Sequence, residues 1–411
     1  MNTPPTIQIE DPFAKPPVPN SSFVLFNYGF RPFFLFAGLF GALSVPLWVG
    51  LFAGHMDMNL IASPALWHGH EMIFGYATAA IAGFFLTVVP NWTSAKVSKG
   101  PVLIGLSILW IVGRVAFWSQ GVLPYGLVIA ADMLFLLGLL ALVIRPLINP
   151  QYRRQFVFVP ILGFIILANA MTHLGVIDFD ALGIDWGARG LTLGLDSMLV
   201  LITIMGGRVT PSFTSSYLGH NTPGVKVQQR PGLDRAVFWI TWAVLAVNLV
   251  LPLSVYAGVI SLIAAVLHGV RLAGWQGWRV LDNPILWILH LAYLWLVVGL
   301  VLMGLADFGV IAMSDAVHAL TIGMIGTYTL GLMSRASLGH TGRAVHAAPL
   351  TVVAYVLITL AALSRLAIIF APDLSVELVM VSGVAWTLAM VAYCVVYVPI
   401  LVRPRIDGRP G

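Results

Sequence analysis

Twelve separate apolar runs, each about 20 residues long, constrain the fold of this chain more than any other feature. They lie at about 32–54, 68–90, 101–120, 124–145, 155–177, 187–207, 235–252, 254–273, 284–305, 309–334, 348–370 and 376–402. A helix of that length crosses the hydrocarbon of a bilayer, where every backbone polar group must be satisfied within the protein. Gly and Pro punctuate the joins, as at Asn149-Pro150 and Asn283-Pro284. Only 9% of the 411 residues are charged, against about 25% in soluble domains, which leaves almost no room for a separate soluble domain. The expected fold is all-α: a polytopic bundle of about twelve transmembrane helices in a lipid bilayer, forming one domain over residues 23–402. Residues 1–22 are polar and Pro-rich and lack the basic-then-apolar pattern of a signal peptide. They are expected to form a disordered cytoplasmic tail, and residues 403–411 a second cytoplasmic tail.

The basic residues report orientation. With the N-terminus inside, all 21 Lys and Arg except Arg114, Arg189 and Arg365 fall in or beside inner segments, as the positive-inside rule requires. The outer loops are acidic instead, with Asp307, Asp373 and Glu377 among them. The net charge of +5 does not indicate nucleic acid, because no basic cluster interleaves with aromatics. The single cysteine, Cys394, excludes an internal disulfide, covalent c-type haem attachment, iron–sulfur clusters and thiolate-rich copper sites. Any metal must be held by His, Met, carboxylate or backbone.

Helices 2, 6 and 10 resemble one another. His70 to Gly75 and His318 to Gly323 both read His-x4-Gly near the outer end, and Gly190-Leu-Thr-Leu-Gly194 on helix 6 is close to Leu320-Thr-Ile-Gly323. The interval is about four helices, so three four-helix repeats in a pseudo-threefold arrangement are expected.

Histidines and acids inside a membrane are costly and are functional candidates by default. Trp67-His-Gly-His-Glu-Met72 begins helix 2 from outside. His68, His70, His173 on helix 5 and His318 on helix 10 share the outer part of the bundle, with Glu71, Asp196 and Asp315 nearby to orient them. On a helix His68 and His70 diverge by about 200°, so they serve different ligands unless His68 precedes the helix. The shared local pattern favours His70 and His318 as a bis-imidazole pair for haem. His268 and His290 lie near the inner ends of the consecutive helices 8 and 9, where contact is plausible. Arg114 and Asp132 sit at matching depths and read as a structural ion pair, or a proton path. Arg208 and Arg335 read as snorkelling anchors, or as partners of propionates or another anion.

Several strings together resemble the NnrS family: Phe30-Arg-Pro-Phe-Phe34, Trp67-His-Gly-His-Glu-Met72, Val89-Pro-Asn-Trp-Thr93, Gly206-Gly-Arg-Val-Thr-Pro-Ser-Phe-Thr214, His318-Ala-Leu-Thr-Ile-Gly323 and Ser334-Arg-Ala-Ser-Leu-Gly-His-Thr-Gly-Arg343. The resemblance runs from about residue 23 to 402. It implies a bacterial inner-membrane protein that binds haem and copper and relieves nitric oxide or nitrosative stress, often beside denitrification genes. The haem would be non-covalent and b-type. On this reading His70 and His318 hold haem, His68 and His173 are copper candidates, and His268 with His290 forms a further metal or haem pair. Nitric oxide would be bound or turned over, with reductase-like chemistry one option, and the electron donor is unspecified. A more distant comparison is the haem–copper oxidase core, which also has twelve spans in three arcs. Its three-imidazole copper site has no counterpart here, because helix 6 has no His-Pro-Glu string and helix 7 no His-His pair. Two other classes stay open: a metal or small-molecule transporter, and a haem-linked sensor or assembly factor without turnover.

Overall fold

The computed structural model describes residues 24–179, 183–222 and 224–409; the tail expected at residues 1–22 lies outside them. The described chain contains no strand and has twelve helices long and apolar enough to cross a membrane. We number them α1 (Phe30–Phe52), α2 (Pro64–Thr93), α3 (Pro101–Trp118), α4 (Tyr125–Leu147), α5 (Phe158–Val176), α6 (Trp186–Asn221), α7 (Pro231–Val250), α8 (Val255–Arg279), α9 (Pro284–Asp307), α10 (Met313–His340), α11 (Pro349–Ala367) and α12 (Pro372–Val402).

Local chemistry sets many of the starts. Pro64, Pro101, Pro231, Pro284 and Pro349 occupy the first turn of their helices, where the missing N–H costs nothing. Ser63, Asp185 and Ser254 accept hydrogen bonds from first-turn amides of α2, α6 and α8. α6 does not stop at residue 207 as its sequence suggested; it runs on through Pro211 to Asn221. Its polar continuation still forms helix because it stands beyond the apolar stretch and packs Phe213, Tyr217 and Leu218 on the α8–α9 connection.

In chain order the helices fall into three runs, here called arcs, α2–α5, α6–α9 and α10–α12 with α1, and neighbours in sequence pack on one another both within and between runs. The first helix of each arc lies at the centre. In α2 and α6, 83% of the apolar window is buried, and in α10 67%, against 28% in the peripheral α7. The three helices whose sequences resemble one another are thus among the most buried of the twelve. Lipid provides no hydrophobic drive between helices, so close packing and polar bonds must hold them. α8 and α9 meet at Gly258 and Gly304, where a Cβ on either would stand 3.1 Å from the other's carbonyl oxygen. Tyr76 and Thr329 hydroxyls bond at 2.7 Å between α2 and α10, and the Trp386 indole donates to the Gly41 carbonyl at 2.9 Å between α12 and α1.

α2 and α10 share a further device. Each carries a π-helical segment, Glu71–Ala77 and Ala319–Gly326, that begins at the residue after His70 and His318 respectively. Such segments are rare and concentrate at functional sites. Both described termini lie on one side of the bundle, here called the terminal face; His68 and His318 lie towards the far face. The residues after α12 do not trail away. The Arg405 guanidinium donates to the His340 carbonyl at 2.6 Å, and the Ile406 amide to the Thr341 carbonyl at 3.2 Å. Arg405 also bonds the Asp407 carboxylate, holding its pKa at about 2.

Candidate functional site

Two sites can be built from the histidines. The first lies inside the α2–α5 arc. His70 is fully buried and stacks on Phe117 with ring centres 3.6 Å apart. Its Nδ1 lies 3.0 Å from the Glu71 carboxylate. Its Nε2 lies 3.1 Å from Asp132 Oδ2 and 2.9 Å from Asn169 Oδ1. His173 approaches the same Asp132 Oδ2 through Nε2 at 3.0 Å, while its Nδ1 meets the Tyr125 hydroxyl at 2.9 Å. Arg114 bridges the Glu71 and Asp132 carboxylates. The Trp118 indole donates to Glu71 at 2.7 Å, and the Asn169 amide to Asp132 at 2.7 Å.

The donor chemistry of this cluster points to a cation. Both nitrogens of His70 face oxygens that accept, so a neutral imidazole leaves one contact without a hydrogen. Two buried carboxylates against one guanidinium also leave one negative charge uncompensated, which is costly in a low dielectric. A proton or a metal ion on the Nε2 side answers both. One ligand atom each from His70, Asp132 and His173 lies within 4.8 Å of the others, a two-nitrogen, one-oxygen set that suits copper(II) or zinc. The outward nitrogens of both histidines already meet oxygens, at Glu71 and Tyr125, as is usual for imidazoles that bind metal.

The second site is a cavity of about 420 Å³ towards the far face, enclosed by α2, α6 and α10 with walls from α1, α11 and α12. His68, Met72, His318 and Arg365 line it, among largely apolar neighbours. Its volume is within the range of pockets that bury small-molecule and cofactor ligands. His318 donates from Nδ1 to the Ser314 carbonyl at 2.6 Å, which leaves the Nε2 lone pair for a ligand. His68 stacks on Trp48 at 4.3 Å, and its buried Nδ1 has no hydrogen-bond partner. Asp315 receives a bond from Arg365 at 2.9 Å, so it steadies a cation at the cavity wall.

The structure therefore pairs the histidines differently from the local pattern. It brings His70 to His173 and His68 to His318, and it does not bring His70 to His318. The cause is helix phase: two residues apart on α2, His68 turns to the central cavity and His70 into the arc. Asp196 bonds Asn248 on α7 at 3.0 Å rather than any histidine. His268 and His290 are not brought together either. His268 is committed to Thr241 at 3.0 Å and Tyr293 at 2.8 Å, and His290 to Thr214 at 2.8 Å. Trp275 packs against both Tyr293 and His290. Arg335 is 17 residues along α10 from His318, about 25 Å at 1.5 Å per residue. Arg208 lines the same terminal-face cavity as Arg335, so neither can reach propionates of a group held by His318.

Sequence reasoning missed Asn169 and Tyr125, and it read Arg114 and Asp132 as a structural ion pair or a proton path, without their histidine partners. A signal existed for Asn169: it stands four residues before His173 and so shares its helix face. No curated protein matches the chain. The family model described as NnrS protein matches residues 24–405, nearly the whole chain, and the chain belongs to the NnrS family.

Proposed function

We propose that the chain is a haem- and copper-binding protein of the bacterial inner membrane that relieves nitric oxide stress by handling the gas at membrane-buried metals. Two separate imidazole sets carry this reading. In each, ring nitrogens facing away from the ligand position are already bonded to oxygen: His318 to the Ser314 carbonyl, His70 to Glu71 and His173 to Tyr125.

Copper fits the cluster in the α2–α5 arc. His70, His173 and Asp132 would hold it, with Glu71, Tyr125, Arg114 and Asn169 fixing their orientation. Haem fits the central cavity. His318 would be its ligand through Nε2, His68 faces it from α2, and Arg365 offers a guanidinium to a propionate. Haem held by His318 would supply an iron able to bind nitric oxide, and copper suits imidazole ligation. The remaining work belongs to the chain. Ile73, Leu191, Leu195, Ile322 and Trp386 give the cavity largely apolar walls, which suit a small apolar gas that dissolves in the surrounding lipid.

The test is separate loss of the two metals. In protein purified after cofactor-replete expression, His318→Ala is expected to lose haem and keep copper, and His173→Ala to lose copper and keep haem. Reduced wild-type protein is expected to shift its Soret band on adding nitric oxide. Wild-type protein with neither metal, or with a spectrum that ignores the gas, would overturn the reading.

A further inference from the structure

The axis between α2, α6 and α10 holds more than the histidine cavity. Beneath it a small void of about 50 Å³ is lined by Ile81, Phe84, Met198, Ile202, Met205 and Leu332. Below that, a second chamber of about 460 Å³ opens on the terminal face, with Asn91, Ser212 and Gly339 exposed at its rim.

The lining of this lower chamber is asymmetric in charge. It contains Arg208 from α6, Arg335 and His340 from α10, and no carboxylate. Arg335 lies over the Phe213 ring at 3.5 Å, and Arg208 over Phe158 at 5.6 Å. Among the described residues neither guanidinium has an ion pair or a hydrogen bond to protein. Arg154 lies within Coulombic reach of Arg208 and adds a third positive charge. Arg31, by contrast, donates to the Leu401 and Arg403 carbonyls on the same face. Both guanidiniums line one chamber that holds no acid, and Arg is the side chain best shaped to grip carboxylate or phosphate. Phe84, Trp92 and Phe213 supply an aromatic wall beside them.

We propose that this chamber is a binding site for an organic anion: a carboxylate or phosphate gripped by Arg208 and Arg335, with an apolar body against Phe84, Trp92 and Phe213. A small apolar void lies between it and the histidine cavity, and the chamber opens on the terminal face. The proposal is independent of any haem or copper. Its ligand chemistry has two sources, a soluble organic anion or the headgroup of an anionic lipid.

Calorimetric titration of the full-length protein in nanodiscs of zwitterionic lipid tests it, with phenyl phosphate and inorganic phosphate as probes. Phenyl phosphate is expected to bind one per chain, more tightly than inorganic phosphate and less tightly as salt is added. Arg208→Gln and Arg335→Gln are each expected to weaken it roughly tenfold or more, the worth of a hydrogen bond to a charged group. Arg145→Gln, a basic change outside this chamber, is expected to leave it unchanged. Arg208 is exposed, so its substitution keeps the test decisive if Arg335→Gln fails to fold. In nanodiscs containing anionic lipid, weakened phenyl phosphate binding identifies a lipid headgroup as the natural occupant; unchanged binding identifies a soluble anion. No binding in zwitterionic lipid, or binding indifferent to both arginine substitutions, overturns the proposal. So does loss of haem in Arg335→Gln, which would assign the guanidinium to a cofactor.

Discussion

At Asp132 one carboxylate meets Arg114, His70, His173 and Asn169, all within the bilayer-spanning part of the chain. Such a centre is defined by charge balance, so removing one member changes what the others cost. Arg114→Gln leaves Glu71 and Asp132 both unneutralised, and the expected loss of stability is about 3–5 kcal/mol. Adding Asp132→Asn to the same chain removes one of the stranded charges and is expected to restore part of that loss. Thermal unfolding of the two single variants and the double in one detergent would form the cycle. Strictly additive losses would show that the residues do not act as a unit. The sequence made Arg114 and Asp132 visible as an unusual pair at matching depth, but not their partners. Spacing along one helix shows phase, whereas His173 and Tyr125 arrive from helices whose rotation is set only by packing. The same limit explains the histidine pairing. The match between His70-x4-Gly75 and His318-x4-Gly323 reflects a repeated element, not two residues that face each other.

The repeated element is the π-helical segment near the start of α2 and α10. In both, the glycine five residues after the histidine lies in the π-helical segment and meets a tryptophan. The Trp110 indole donates to the Gly75 carbonyl at 3.1 Å, and a Cβ on Gly323 would stand 2.7 Å from the Trp295 ring. A widened turn frees backbone carbonyls from the regular ladder, and a neighbouring indole or a missing side chain then becomes part of the fold. Gly323→Ala is expected to force the Trp295 ring aside and cost about 1–3 kcal/mol, the usual price of overpacking. Gly339→Ala on the same helix is the control, since a Cβ there meets nothing within 4 Å. Melting temperatures measured side by side decide it; equal values would remove the tight contact from the account. Apolar periodicity and length made every one of the twelve helices legible. The π segments were not legible, because they change hydrogen bonding without changing the residue types that fill a helix.

For the whole molecule, one question of arrangement carries into function: which face meets the cytoplasm. Lys96, Lys99, Arg153, Arg154, Lys226, Arg230 and Arg343 belong to the connections on the terminal face and Arg145 and Arg279 to helix ends there, and the far-face connections carry the acids Asp57, Asp178 and Asp185. By the positive-inside rule the terminal face is expected inside, which would put the arginine chamber towards the cytoplasm and the histidine sites towards the outer half of the bilayer. Cys394, which lies within α12, is the sole cysteine. Once it is replaced by Ser, single cysteines can report each face. Val122 and Phe370, in far-face loops, are 78% and 87% exposed, and Trp278 at the terminal face is 60% exposed. In intact spheroplasts a membrane-impermeant maleimide is expected to label Val122→Cys and Phe370→Cys but not Trp278→Cys until the membrane is opened. Labelling of Trp278→Cys alone would invert the molecule. The arginine chamber would then open outside, and no cytoplasmic anion could reach it. The histidine sites would keep their geometry in either orientation, because the π segments and the helix packing that build them do not depend on which side is inside.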